Sequence, residues 1–133
     1  MTSRVTYLGD LRTASVHIAS QSTIISDAPV DNHGKGEAFS PTDTVANALA
    51  SCMLTVMGIK ADQMQVDMTG TVAEVTKVMA DAPRRISEIH VRVSVKGVHE
   101  PKHQAILENT ARTCPVLQSL HPDLKKHIRF SWE

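Results

Sequence analysis

The stretch that decides the expected fold is residues 40–60, SPTDTVANALASCMLTVMGIK. It carries the signals of a helix start, because Ser40 suits the N-cap, Pro41 suits the first helical position and Asp43 lies three residues after the cap. No further proline interrupts the stretch, and small or apolar residues occupy most of its positions. We therefore predict a long helix over about 41–63 that is buried nearly all round.

Composition is typical of one compact domain over residues 1–133. Of the 133 residues, 41% are hydrophobic, which is enough to build a core. The 14 basic and 14 acidic residues balance and only 3% of residues are aromatic, so no surface for nucleic acid or for an anionic membrane is expected. We find no secretory signal and no apolar run of membrane-spanning length, which predicts the reducing cytoplasm.

Hydrophobic alternation on both sides of the helix predicts an α+β fold. Residues 3–27 look like a β-meander, and 28–39 form a loop that feeds into the helix. Alternation resumes over 66–79 and 86–95, which predicts a β-hairpin with Gly70 as a bulge.

The last third of the chain completes the predicted order βββ–α–ββ–α–α–β. A second helix is expected over 101–112, followed by a short helical piece that Pro115 begins and Pro122 ends. Apolar residues alternate with polar ones in a final strand over 128–132.

A helix that is apolar on all sides needs cover on all sides. A single sheet of about six short strands would cover one face only. We therefore predict an obligate homodimer in which the partner subunit covers the rest.

Cys52 and Cys114 are the leading candidates for chemistry, and the residues alone leave two interpretations open. Free cysteine is among the most buried residue types, so both thiols could be inert members of the core. In the reactive interpretation, Cys114 gains from its place before Pro115 at a helix start, where free N–H groups stabilise a thiolate. Cys52 lies in mid-helix and would need a nearby cation to ionise. The candidate cations are Arg4, Arg12, Lys35, Arg84 and Arg85.

Histidine spacing gives a weaker indication of a metal site. His99 and His103 are four residues apart and Cys114 follows, but neither a CxxC nor an HExxH motif accompanies them. We therefore expect no metal. His17, His90 and His127 are interpreted as solvated or satisfied strand residues.

Two further patterns do not reach the strength of a catalytic motif. Ser119 with His121, and Ser40 with Asp43, lack the GxSxG elbow of a hydrolase. The short run at 34–36, GKG, lacks the rest of a phosphate-binding loop and is interpreted as a flexible turn.

Two motifs together resemble the osmotically inducible protein C family, which includes the organic hydroperoxide resistance proteins. They are SPTDTVANALASCMLTVMGI, whose cysteine comes eleven residues after Pro41, and TCPVLQSL further along. The resemblance covers essentially the whole chain. It implies an intertwined α+β homodimer in which long central helices pack between two sheets and both cysteines face an active site at the subunit interface.

The resemblance also implies thiol-dependent reduction of organic hydroperoxides in an oxidative-stress response. Cys52 would be the peroxidatic thiolate that becomes a sulfenic acid, and Cys114 would be the resolving thiol that condenses with it to a disulfide. A dithiol, for example of lipoyl type, would restore both thiols. No metal, flavin or haem is implied.

Peroxidases of this family also place an arginine and a glutamate near the peroxidatic sulfur. The glutamate usually follows the helix-start proline, where this chain has Thr42, so Glu37 or Asp43 would have to substitute. Arg12, in the run GDLR, is the nearest equivalent of the arginine. Because the helix start differs, a second interpretation stays open: a non-enzymatic dimeric protein that binds a small apolar or thiol-reactive ligand.

Overall fold

The computed structural model describes all 133 residues and has a mixed α+β architecture. In chain order, its helices and strands are β1 (Ser3–Gly9), β2 (Arg12–His17), β3 (Thr23–Asp27), α1 (Pro41–Gln63), β4 (Val72–Ala80), β5 (Arg85–Val95), α2 (Pro101–Ala111), α3 (Pro115–Ser119) and β6 (Lys125–Trp132). This is the predicted order of elements. The chain divides into two compact units, residues 1–45 and 46–133, each of which is described by itself.

The first unit contains the predicted meander, an antiparallel sheet in the order β1-β2-β3. Asp10 and Leu11 connect β1 to β2, and their φ angles of 54° and 62° give a turn whose twist suits a hairpin. The strand register places Val5, Tyr7 and Ile24 on one face of this sheet. These side chains are 61%, 65% and 62% exposed in the single chain.

Helix α1 has the bounds that its sequence predicts, because a capping box fixes its start. The Ser40 Oγ accepts a hydrogen bond from the Asp43 N–H at 3.0 Å, and the Asp43 carboxylate accepts one from the Ser40 N–H, also at 3.0 Å. Two backbone donors at the helix N-terminus are thereby satisfied.

The expectation that α1 is buried nearly all round is wrong for the single chain. Its buried residues are Ala46, Leu49, Ala50, Met53, Met57 and Ala61. They recur every three or four positions, so they form one face of the helix. Elsewhere apolar surface remains accessible, and Ile59 is 56% exposed.

By length and mean hydropathy alone, α1 also passes the test for a membrane-spanning helix, with a mean hydropathy of 1.3. The expectation that no apolar run reaches membrane-spanning length is wrong by this test. A core helix passes the same test, and the buried face of α1 identifies it as part of the hydrophobic core.

The second unit contains a three-stranded sheet in the order β4-β5-β6. β4 and β5 form the predicted hairpin, and β6 lies parallel to β5. The six strands of the chain therefore form two sheets of three, not one sheet of six. β5 alternates regularly, with Ile89, Val91, Val93 and Val95 buried on the core side.

The predicted start of the hairpin is wrong by several residues. Residues 67–71 form a turn in which the Asp67 carboxylate accepts the Thr69 N–H at 2.8 Å, so β4 begins only at Val72. The bulge lies between Val78 and Met79 and not at Gly70.

Candidate functional site

The second unit brings Cys52 and Cys114 together. Cys52 lies in the middle of α1 and is half-buried, whereas Cys114 is the N-cap of α3 and is fully buried. Both are free thiols, and they lie close enough for Cys52 to raise the pKa of the Cys114 thiol. Proximity of the two sulfurs is the first geometric requirement for a disulfide.

The environment of Cys114 favours the neutral thiol. Burial raises the pKa of the Cys114 thiol, and the neighbouring Cys52 raises it further. The N–H of Leu117, 3.4 Å from the sulfur, and the N–H of Val116 lower the pKa, but burial outweighs them. The helix start thus lowers the pKa of Cys114 as its sequence position predicts, but the apolar surroundings have the larger effect.

Cys52 is the more accessible of the two thiols. On α1 it lies beside the buried Met53 and the exposed Ser51, at the edge of the face that packs in the core. In the single chain Cys52 is partly accessible to solvent, whereas Cys114 is fully buried. Reactivity of a thiol depends on this exposure as well as on its pKa.

The first unit brings Arg12 and Glu37 together. The Arg12 guanidinium lies 4.0 Å from Glu37 Oε2, and the two side chains are 36% and 59% exposed. The contact is long and open to solvent, so it contributes little to stability. It leaves most of the donor capacity of the guanidinium available to another group.

Asp27 lies beside this pair, and its role was not predicted from the sequence. It is the cross-strand partner of Arg12 and is 1% exposed. Its Oδ2 accepts the Glu37 N–H at 3.1 Å, whereas its Oδ1 and the Arg12 Nε are buried without hydrogen-bond partners. Buried polar atoms without partners are costly, and they mark places where a bound molecule gains hydrogen bonds. The only sequence signal is an acidic residue two positions after Ile25, which is weak.

The loop that carries Glu37 is held by its own backbone. The Gly34 N–H donates to the Pro29 carbonyl at 2.9 Å, and the Gly36 N–H donates to the Ala28 carbonyl at 3.1 Å. A Cβ atom at Gly34 would overlap the Ala28 carbonyl, so this position requires glycine. The run at 34–36 is thus a hydrogen-bonded turn that positions Glu37.

Asp43, the other candidate acid, belongs to the capping box of α1. Its carboxylate accepts the Ser40 N–H, and the neighbouring Thr42 hydroxyl lies 3.2 Å from the Ser40 hydroxyl. The structure thus gives Asp43 a structural task, and it does not test a catalytic one.

Local contacts account for the weaker candidates. His103 Nδ1 lies 3.5 Å from a Glu100 oxygen at the start of α2. The Ser119 hydroxyl donates to the carbonyl four residues earlier at 2.9 Å, and His121 Nδ1 accepts the Asp123 N–H at 3.1 Å. Ser119 and His121 are therefore each engaged within their own turn and do not form a nucleophile–base pair.

Comparison with known proteins gives a consistent result. The model of the family described as OsmC-like protein matches residues 34–128. A comparison with curated proteins gave no significant match.

Several solved structures share the fold. A protein from Psychrobacter arcticus 273-4, provisionally described as an osmotic stress induced and detoxification response protein, is 56% identical, with a TM-score of 0.95 over 98% of this chain and 96% of that one. An organic hydroperoxide resistance protein OsmC from Legionella pneumophila is 12% identical, with a TM-score of 0.76 over 98% and 97% of the two chains. One from Elizabethkingia anophelis, with thiocyanate bound, is also 12% identical, with a TM-score of 0.76 over 100% and 97%. The last two show likeness of fold alone.

Proposed function

Because the chain belongs to the OsmC-like protein family, we propose that it is a thiol-dependent peroxidase that reduces organic hydroperoxides in an oxidative-stress response. Membership of the family supports a role related to stress and hydroperoxides. The observation that carries the finer proposal is the proximity of a half-exposed thiol, Cys52, to a buried one, Cys114.

In the first step, the Cys52 thiolate attacks the terminal oxygen of the hydroperoxide. The O–O bond breaks, the alkoxide leaves and takes up a proton to become the alcohol, and Cys52 becomes a sulfenic acid. Cys52 is assigned this step because it is the accessible thiol of the pair. Attack by a thiolate sulfur is the usual first reaction of a peroxidatic cysteine.

In the second step, Cys114 resolves the sulfenic acid. Its sulfur attacks the Cys52 sulfur, the S–O bond breaks, and the Cys114 proton leaves with the hydroxyl group as water. Burial raises the pKa of the Cys114 thiol, which disfavours its direct reaction with peroxide and leaves the first step to Cys52. The product is a Cys52–Cys114 disulfide.

In the third step, an external dithiol reduces the disulfide. One of its sulfurs attacks the Cys52–Cys114 bond, and its second sulfur displaces the remaining protein thiol, so that the reductant leaves as a disulfide. The chain carries no other cysteine, so this second pair of electrons has to come from outside.

Arg12 and Glu37 are the charged residues that we assign to peroxide recognition. The guanidinium has free donor capacity, and the unpaired Arg12 Nε adds a buried donor beside it. A donor of this kind stabilises the negative charge that develops on the leaving oxygen. Glu37 fixes the orientation of the guanidinium, and Asp27 holds Glu37 through its N–H.

The same proposal includes a homodimer and a reducing compartment. The apolar face formed by Val5, Tyr7 and Ile24 and the exposed Ile59 on α1 are the kind of surface that a partner subunit covers. A cytoplasmic setting would supply the dithiol and keep both cysteines reduced between turnovers.

The proposal is tested by measuring how fast the protein consumes cumene hydroperoxide and hydrogen peroxide, with a dithiol, dihydrolipoamide, as the electron donor. We expect the wild type to reduce the organic substrate and Cys52→Ser to lose turnover. Ser51→Ala is the matched control, since this exposed neighbour on α1 has no assigned role. A wild type that binds the hydroperoxide but does not turn it over, with equal affinity in Cys52→Ser, would favour the ligand-binding interpretation instead.

A further inference from the structure

A cluster of Glu88, His90 and His127 lies on the sheet face that points away from the core. β5 alternates, so Glu88 and His90 share one face while Ile89 and Val91 are buried on the other. In the parallel pairing of β5 with β6, His127 is the direct register partner of His90. All three side chains therefore project from the same patch of the sheet.

The ligand atoms of the cluster converge on one point. Both imidazole Nε2 atoms face the same carboxylate oxygen, Glu88 Oε1, at 2.9 Å from His127 and 3.6 Å from His90. All three groups offer an atom within 4.8 Å of the others. Donor atoms that lie about 2.1 Å from a tetrahedral zinc ion are about 3.4 Å from one another, so the separations of these atoms are close to those around a bound metal.

We propose that Glu88, His90 and His127 form a binding site for a divalent transition-metal ion of the Zn²⁺ class. Two imidazoles and one carboxylate suit zinc, copper or nickel, whereas magnesium and calcium prefer oxygen ligands throughout. Three protein ligands leave a fourth position for water or an exogenous group. The site lies on the opposite face of the sheet from the buried Cys114 and does not depend on the thiol chemistry.

The parallel pairing of β5 with β6 holds the two imidazoles against each other. The rings are stacked at 4.3 Å with an interplanar angle of 18°. Glu88 Oε1 is within hydrogen-bond distance of the His127 Nε2 only, so it does not satisfy both rings equally. A cation bound by the three side chains would take one nitrogen lone pair from each imidazole and one oxygen from the carboxylate, after the two rings turn so that both Nε2 atoms point at it.

The surroundings of the site are polar and preorganised by the sheet. Thr76 is the β4 partner of His90, and Arg92 and Arg129 form the next cross-strand pair along β5 and β6. Their backbone hydrogen bonds fix the spacing of the ligand-bearing strands. The two arginines add positive charge, which would draw an anionic group toward the fourth position of the metal.

The test is a titration of the protein with ZnCl₂ by isothermal calorimetry, using the Cys52→Ser/Cys114→Ser double variant so that thiols do not bind the metal. We expect one zinc ion per chain at the cluster. Glu88→Gln, His90→Asn and His127→Asn should each weaken zinc binding by at least about tenfold. His103→Asn, which removes a histidine paired with Glu100 on α2, is the matched control and should leave the affinity unchanged.

A second measurement covers the case in which the double variant does not fold. In the otherwise wild-type protein, His90→Asn/His127→Asn should bind one zinc ion fewer per chain than the parent, and zinc should no longer raise its Tm through this site. Equal stoichiometry and equal zinc-induced Tm shifts in parent and variant would overturn the proposal. So would a folded double-cysteine variant that binds no zinc.

Discussion

The half-exposed Cys52 of α1 and the buried Cys114 at the start of α3 interact through their side chains in the reduced protein. They differ in exposure and in the environment of the sulfur. A pair with one accessible and one protected thiol can divide the oxidation and the resolution of a peroxidase cycle between its members.

Replacing Cys52 and replacing Cys114 should have different effects on oxidation of the protein by peroxide. Cys52→Ser should show no oxidation by peroxide, since the remaining thiol is buried and protonated. Cys114→Ser should react once and accumulate Cys52 as a sulfenic acid, because no thiol is left to condense with it. Dimedone labelling followed by mass spectrometry measures this, and equal labelling of wild type and Cys114→Ser would contradict the assignment of Cys114 as the resolving thiol.

The stability of the reduced protein should fall at alkaline pH because of Cys114. Burial raises the pKa of this thiol, so the folded protein holds the proton to a higher pH than the unfolded chain does. The stabilisation is therefore complete below the unfolded thiol pKa of about 8.5 and is lost as the pH rises through the raised folded pKa.

This pH effect is measured by urea unfolding of the reduced protein between pH 7 and pH 10, values that bracket the ordinary thiol pKa of about 8.5. The slope from one thiol is at most about 1.4 kcal/mol per pH unit. Cys114→Ala should remove this pH dependence of the free energy of unfolding, even if the substitution lowers stability at every pH. An unchanged slope in that variant would show that other groups cause the alkaline loss.

Arg12 and Glu37 should matter more for activity than for folding. Arg12→Gln and Glu37→Gln remove a long and partly exposed ion pair, so each should change the free energy of unfolding by no more than about 1 kcal/mol. Turnover of an organic hydroperoxide should fall by at least about tenfold in Arg12→Gln if the guanidinium stabilises the leaving oxygen. Lys102→Gln, an exposed change on α2, is the charge-matched control, and an equal loss in that variant would point to net charge instead.

Asp43 should behave as a helix cap. Asp43→Ala should lower the free energy of unfolding by about 0.5–2 kcal/mol, because the Ser40 N–H loses its acceptor. Asp43→Asn keeps an acceptor oxygen and should lose less stability and little activity. A variant Asp43→Asn that is stable but inactive would instead make this carboxylate the acid that the family places at the helix start.

The homodimer should be visible by analytical ultracentrifugation at low micromolar protein concentration. Ile24→Asp places a charge on the exposed apolar face of the β1-β2-β3 sheet and should shift the protein toward monomer. Lys102→Glu, an exposed change on α2, is the control and should leave the mass unchanged. A monomeric wild type at this concentration would contradict the proposed assembly.

Helix boundaries are the part of the fold that the sequence predicts best, because their signals are local. Ser40 with Asp43 begins α1, and Pro101 and Pro115 occupy the first positions of α2 and α3. The exposure of Ile59 was not predictable in this way, since composition alone does not say which side of a helix the rest of the chain covers.

Side-chain clusters that depend on strand register were the part that sequence reasoning missed. His90 and His127 were interpreted as solvated or satisfied strand residues, and only the parallel pairing of β5 with β6 brings them to Glu88. Asp27 was missed for the same reason, because its position opposite Arg12 follows from the β2–β3 register. At Cys114 the sequence predicts the helix-start effect on the thiol pKa but not the larger opposing effect of burial, which is a property of the folded core.

The most direct test of the central claim is a single addition of cumene hydroperoxide to the reduced wild type without any reductant. We expect that one equivalent per chain removes both free thiols and that peptide mapping finds a Cys52–Cys114 disulfide within the chain. Two free thiols after complete exposure to the hydroperoxide would contradict it.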